Sequence, residues 1–338
     1  MARREAGSAV WWWLLALPVL ALGAAALAAY TWLDRPLALA GPSAELSIEA
    51  GSNPREIAQA WVDAGVQTSP RLLYEWFRWS GQARRIQAGS YAVEPGVTPR
   101  RLLDKLVQGE QTLEQLRFTE GWTLRQLRAA LARAPHLKPT TTGLSDAQLM
   151  ETLGAPGTAA EGRFFPDTYA YARGVSDITV LRRAHRALEK RLAQAWAERT
   201  PDTPLKSAEQ ALILASIVEK ETGLAADRGL VAGVFINRLR IGMPLQTDPS
   251  VIYGLGEAFD GNLRKRDLLT DTPYNTYTRG GLPPTPIALP GQASLTAAVR
   301  PQATKALYFV ARGDGSSVFS DNLADHNRAV NTYQRGSR

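Results

Sequence analysis

The stretch Ser207-Ala-Glu-Gln-Ala-Leu-Ile-Leu-Ala-Ser-Ile-Val-Glu-Lys-Glu-Thr-Gly223 decides how the rest of the chain is read. Ser207 is a good N-cap, and Gln210 three residues on predicts a capping box. Gly223 stands where helices commonly end on a left-handed residue. Between these marks the run from Ala211 to Val218 is too apolar for a surface helix, so a mostly buried one is expected.

Two carboxylates sit in its last turn. At about 100° per residue, Glu221 projects from the middle of the arc holding Leu214, Ile217 and Val218, whereas Glu219 shares an edge with Ser216 and Lys220. A carboxyl on the apolar arc meets desolvation and the negative end of the helix dipole, and both disfavour its charge. An acid that keeps its proton near neutral pH suits general acid catalysis. The pattern equally fits a solvated helix end, with Glu219 and Glu221 paired to Lys220, Arg228 or Arg238.

The 338 residues leave room for two or three domains, and 45% hydrophobic against 21% charged residues predicts a folded core. The chain has no cysteine, which excludes disulfides and thiol chemistry and fits an exported protein. Its net charge of +7 favours anionic partners such as a membrane surface or a polyanionic polymer. That charge is spread along the chain with no basic stripe, so nucleic acid is not an expected partner. His136, His185 and His326 stand alone and no acidic cluster has ligand spacing, so neither metal nor cofactor is expected.

After Arg3 and Arg4 no charge appears from Ala6 to Leu33, and residues 10–33 are long enough to cross a bilayer as one helix. Trp11, Trp12 and Trp13 at one end, with Tyr30 and Trp32 at the other, resemble interfacial aromatic belts. The positive-inside rule leaves residues 1–9 in the cytoplasm and the rest outside, after a linker at 34–43. A cleaved signal peptide, with Ala26-Leu27-Ala28 as its small-residue site, is the alternative.

One small pattern then occurs three times. Leu46-Ser-Ile-Glu-Ala-Gly-Ser-Asn-Pro-Arg-Glu-Ile57 matches Tyr91-Ala-Val-Glu-Pro-Gly-Val-Thr-Pro-Arg-Arg-Leu102, and Leu116-Arg-Phe-Thr-Glu-Gly-Trp-Thr-Leu-Arg-Gln-Leu127 is the third copy. Each reads as an extended run, a glycine turn, an N-cap (Asn53, Thr98, Thr123) and an amphipathic helix. Residues 44–111 thus predict strand, helix, helix, strand, helix. That layout resembles the LysM-like subdomain of some cell-wall enzymes, which binds amino-sugar polymers; a packing unit that orients the next domain fits equally. Trp61, Trp76 and Trp79 either stack on sugars or, at helical spacing, fill the core.

Farther on, helices are expected at 123–134 and 145–153, with a long basic amphipathic one at 178–199. Glu161-Gly-Arg-Phe-Phe-Pro-Asp-Thr-Tyr-Ala-Tyr171 has no regular periodicity and reads either as a site-lining loop or as a buried hydrophobic corner. A helix at 226–241 follows the central one, with Val231, Val234, Phe235 and Leu239 inward. Gly242 to Tyr253 reads as a polar loop carrying Gln246, Thr247 and Asp248; Asp248 before Pro249 also suits a turn. A hairpin turning at Gly313-Asp314-Gly315 and a helix at 322–334 close the chain.

Five motifs now stand in order: Ala215-Ser-Ile-Val-Glu-Lys-Glu-Thr222, Val234-Phe-Ile-Asn-Arg-Leu239, Leu245-Gln-Thr-Asp-Pro-Ser-Val-Ile-Tyr-Gly254, Tyr274-Asn-Thr-Tyr277 and Gly281-Leu-Pro-Pro284. Together they resemble the endolytic murein transglycosylase, or YceG-like, family over nearly the whole chain. The resemblance implies a single-pass protein of the bacterial inner membrane whose periplasmic domain cleaves peptidoglycan glycan strands, ending strand elongation. Its partners would be those strands, membrane lipid and peptidoglycan synthases. The family's catalytic glutamate corresponds to Glu221, the residue that the helical-face reading also selects. Gln246, Asp248, Tyr274, Asn275 and Glu219 are candidates for holding the sugar.

The fold expected is α+β: one transmembrane helix at 10–33, a LysM-like subdomain at 44–111, and a mostly helical catalytic domain with short strands at 112–338. The implied reaction is a lyase-type cleavage of the MurNAc–GlcNAc bond, with Glu221 as acid and then base. Rival readings are a hydrolase with Asp248 or Glu219 as second carboxylate, and a non-catalytic scaffold that binds glycan for wall synthases.

Overall fold

The structure, a computed structural model, describes residues 6–49 and 51–335, with the side chains of 6–18, Ala25 and Arg335 outside the described set. The mixed α+β class is as expected. Two compact units divide the chain: residues 1–114 with 172–174, and residues 115–171 with 175–338.

In the first unit, helix α1 (Ala6–Leu33) precedes two small antiparallel pairs. Strand β1 (Ala38–Leu39) pairs with β3 (Val66–Gln67), and β2 (Ala44–Ile48) pairs with β4 (Gly89–Val93). Helices α2 (Pro54–Asp63), α3 (Pro70–Trp79) and α4 (Pro99–Gln108) complete it, in the order read from the sequence. The repeat's local chemistry explains why. Asn53 and Thr98 accept first-turn N–H bonds, Pro54 and Pro99 open their helices, and Gly51 and Gly96 turn at φ +94° and +99°. Trp61 is fully buried among Leu73, Phe77 and Leu102, so it belongs to the core. Among the described residues no helix is long and apolar enough to cross a membrane. The span expected at 10–33 falls within α1, but the side chains of 10–18 lie outside the described residues.

The second unit holds most of β5 (Leu113–Arg117) and of its partner β6 (Thr168–Ala172), and the hairpin β7 (Tyr308–Ala311) with β8 (Ser317–Ser320). Its helices are α5 (Leu124–Arg133), α6 (Asp146–Leu153), α7 (Asp177–Ala197), α8 (Ala208–Glu221), α9 (Ala225–Arg240), α10 (Asp248–Leu255), α11 (Lys265–Leu269), α12 (Gln292–Val299) and α13 (Leu323–Val330). The stretch from Ser207 forms α8, which packs against α7, α9, α10 and α12. Leu212, Leu214, Ala215, Ile217 and Val218 are fully buried there. Each large aliphatic side chain so buried contributes about 1.5–3 kcal/mol, enough to fix the helix in place.

Both ends of α8 differ in detail from the sequence reading. Ser207 Oγ accepts from Gln210 N at 3.3 Å, but the Gln210 side chain takes the N–H of Lys206 at 2.8 Å, so only half of the capping box forms. At the other end Thr222 is extended (φ −141°) and Gly223 is not left-handed. The Thr222 hydroxyl instead accepts Leu224 N at 3.1 Å, turning the chain directly into α9. Residues 168–172, read as aperiodic, form β6, because Tyr169 and Tyr171 alternate inward from exposed or half-buried neighbours. Residues 248–255, read as loop, form α10 with Pro249 in its first turn, where proline is tolerated.

Candidate active site

The last residue of α8 is Glu221, the acid selected in the sequence. Glu221 is half-buried, and the N-cap residue of α10, Thr247, is 1% exposed beside it. The Thr247 side chain makes no cap bond of its own; its hydroxyl donates to Glu221 Oε1. Thr247 is in turn fixed from behind. Its N–H donates to Thr276 Oγ1 at 3.0 Å, and Ser250 Oγ donates to its carbonyl at 2.9 Å. Thr276 and Ser250 thus hold one hydroxyl against one carboxyl.

Around this pair opens a cavity of about 590 Å³, lined by Glu221, Arg238, Gln246, Asp248, Tyr277 and His326 among others. Tyr277 OH donates to Asp248 Oδ1 at 2.6 Å. Arg238 is buried and spends its guanidinium on carbonyls, Nε to Leu307 at 2.7 Å and Nη1 to Leu245 at 2.7 Å. Among the described residues no ion pair joins Glu219 or Glu221 to Lys220, Arg228 or Arg238; both carboxyls are half-buried and accept from Gly291 N and the Thr247 hydroxyl instead, unlike a solvated, paired end. Burial pushes the Glu221 carboxyl up to about 7, and the Asp248 charge adds to this. The Thr247 hydroxyl and the Arg238 charge pull it down, but burial outweighs them. An acid titrating there holds a transferable proton at neutral pH.

The structure distributes the other candidates differently. Gln246 lines the cavity at a strained φ of +49° with its N–H on Thr276 O, and Asp248 lines it too. Tyr274 faces a second cavity of about 620 Å³, its ring edge-on to Tyr253 at 4.8 Å and its hydroxyl 2.8 Å from Thr285 Oγ1. Asn275 is fully buried, and its amide is used internally. Nδ2 donates to the carbonyls of Asp267, Leu268 and Thr270, and Oδ1 accepts from Tyr277 N. It shapes the loop before Tyr277 and has no group left for a sugar. Glu219 accepts Gly291 N at 2.9 Å, while Ser216 Oγ accepts Ile287 N at 3.0 Å. That helix edge anchors the proline-rich loop.

Thr247, Tyr277 and Glu161 stand in stretches quoted from the sequence but were not among its candidate site residues. Glu161 is a buried carboxyl that lines the second cavity and accepts from Leu124 N, Gly162 N and Tyr253 OH. Burial pushes it up to about 7 as well, against those donors. With donors on both oxygens it is built to tie the loop at 161–162 to the start of α5 and to α10. The signals for Thr247 and Tyr277 were present in the quoted motifs, one residue from Asp248 and two from Asn275.

Comparisons with known proteins bear on the chain as a whole. The model of the YceG-like family matches residues 46–332. A Bacillus subtilis protein named endolytic murein transglycosylase is 32% identical over 305 residues, covering 85% of this chain and 84% of that protein. A Streptococcus pneumoniae protein of the same name is 28% identical over 318 residues; the match covers 84% of this chain but only 57% of that longer relative. The crystal structure of a YceG-like protein from Listeria monocytogenes superposes with a TM-score of 0.53 at 28% identity, covering 85% of this chain and 98% of that one. With the family pattern matched over most of its length, the chain belongs to the YceG-like family.

Proposed function

We propose that this chain is a peptidoglycan lytic transglycosylase of the endolytic kind, cutting glycan strands between MurNAc and GlcNAc. The observation that carries the reading is Glu221: a carboxyl raised to about 7 that opens into a polar cavity large enough for sugar rings. The names of the relatives support the substrate class.

In the proposed reaction the protonated Glu221 gives its proton to the bridging oxygen as the bond from MurNAc C1 to that oxygen breaks. Positive charge develops at C1 and the ring oxygen. The Glu221 carboxylate then takes the proton of the same sugar's 6-hydroxyl, and O6 bonds to C1. The products are a GlcNAc with a free 4-hydroxyl and a 1,6-anhydroMurNAc end, with Glu221 protonated again. The nucleophile belongs to the substrate, so a second enzymatic carboxylate is not required, unlike the two-carboxylate glycosidases. Gln246, Asp248 and Tyr277 line the same cavity as Glu221 and are the groups that would hold the sugar.

The apolar α1 anchors the chain in the bacterial inner membrane, N-terminus in the cytoplasm and catalytic unit in the periplasm, near membrane lipid and the synthases that make the strands. Charge-free residues 6–33 support this placement. One observation favours a hydrolase as second reading: Asp248 shares the cavity and could activate water. Digestion of purified glycan strands by the full chain, with the products weighed, separates the readings. Ends lacking one water support the transglycosylase; reducing ends identify the hydrolase; no cleavage of any strand leaves a glycan-binding scaffold.

A further inference from the structure

The exposed face of α3 belongs to no site described above. Leu72 is 51% and Trp79 77% exposed, large apolar side chains that the fold of the first unit leaves in solvent. At about 100° per residue Leu72, Trp76 and Trp79 share an arc of about 60°, with the buried Leu73 and Phe77 to one side of it. On the other side lie the exposed Arg71 and Arg78, and the turn after α3 adds exposed Arg84 and Arg85. The only carboxylate on the helix, Glu75, is neutralised by Arg78 at 2.8 Å and accepts Trp79 Nε1 at 3.1 Å. A cationic rim thus borders an indole whose polar edge is satisfied.

This face is also placed at one end of α1. The Arg100 guanidinium sits 5.9 Å from the Tyr30 ring near the C-terminus of α1, and 5.9 Å from the Trp76 ring on α3. Arg100 further pairs with Asp34 at 3.0 Å, just beyond the helix. We propose that the Leu72–Trp79 face of α3 docks on the surface of an anionic lipid bilayer, beside the point where α1 leaves it. This rests on the reading of α1 as the membrane anchor. Tryptophan with flanking arginine is the composition that settles at the headgroup level of such a surface. A sugar ring would use the indole, but Leu72 and the exposed Arg71, Arg84 and Arg85 offer it little, whereas lipid chains and phosphates use all of them.

The cysteine-free chain makes a direct test possible. Single variants Leu72→Cys, Gln59→Cys and Leu22→Cys of the full chain, each carrying a nitroxide, are reconstituted into phosphatidylethanolamine–phosphatidylglycerol vesicles. Collision rates with oxygen, which partitions into lipid, and with a neutral nickel chelate, which stays in water, are then compared. The docked face predicts that the nitroxide at 72 meets the nickel chelate roughly fivefold less often than that at 59. Adding Trp79→Ser, or Arg71→Glu with Arg78→Glu, to the Leu72→Cys chain restores its contact with water. Equal nickel contact at 72 and 59, with lipid contact intact at 22, overturns the docking and leaves the anchor standing. Nickel contact at 22 overturns the anchor and the docking with it. Protection at 72 that appears only with glycan strands added, or only together with spin–spin broadening between chains, also overturns the proposal.

Discussion

The hydroxyl of Thr247 donates to the carboxyl of Glu221, joining the first residue before α10 to the last residue of α8. Twenty-six residues separate the two in sequence, and their contact is what sets the acid in the cavity. Because the donated bond favours the carboxylate, it holds the Glu221 pKa lower than burial alone would.

Thr247→Val therefore moves the descending, high-pH limb of the pH–rate profile upward. On the proposed reaction, kcat/KM of the wild type is expected to fall as pH rises through about 7, where Glu221 loses its proton. A hydrogen bond to a charged group contributes about 1.5–3 kcal/mol, so the limb in Thr247→Val shifts up by about one to two pH units. The maximal rate drops about tenfold because the carboxyl is no longer oriented. Thr247→Ser restores both. A profile unchanged by the valine would show that the hydroxyl only fills space.

Stability carries the same signature. Glu161 and Glu221 are both raised from 4.5 to about 7, so between those pH values the folded chain binds protons that the unfolded chain releases. The stabilisation is fully present below about pH 4.5 and is lost as pH rises through 7, roughly 3 kcal/mol per group. Urea titrations from pH 5 to 8 should show the unfolding midpoint of the second unit falling. Glu221→Gln should remove about half of that slope, and an unaltered slope would mean that Glu221 titrates normally.

Asn275 distinguishes a structural amide from a sugar contact. Asn275→Ala leaves three loop carbonyls and the Tyr277 N–H without their partner, at about 2–4 kcal/mol in all. Calorimetry should record a lowered Tm. A fully stable Asn275→Ala chain with a raised KM would return the residue to the substrate.

Much of this was legible in the sequence because it is local. The N-caps at Asn53, Thr98 and Thr123 and the apolar arc of α8 are set by residues within a few positions of one another, and so is the direction in which Glu221 points. Contacts between distant loops were not legible. Nothing near Thr247 announces that its hydroxyl faces Glu221 rather than capping α10, and nothing near Asn275 says that its amide is spent on carbonyls at 267–270. Gly223 misled for a related reason: Thr222 had already ended the helix with its own hydroxyl. Glu161 was hidden because its three donors come from α5, α10 and its own neighbour.

Whether Glu221 supplies the proton is read by comparing wild type with Glu221→Gln on purified glycan strands. The amide keeps the shape of the side chain and removes only the transferable proton. The expected result is a loss of cleavage by about a hundredfold to ten-thousandfold, with strand binding and Tm retained. Cleavage by Glu221→Gln within a few-fold of wild type would remove Glu221 from the role of acid, because the proton would then come from somewhere else.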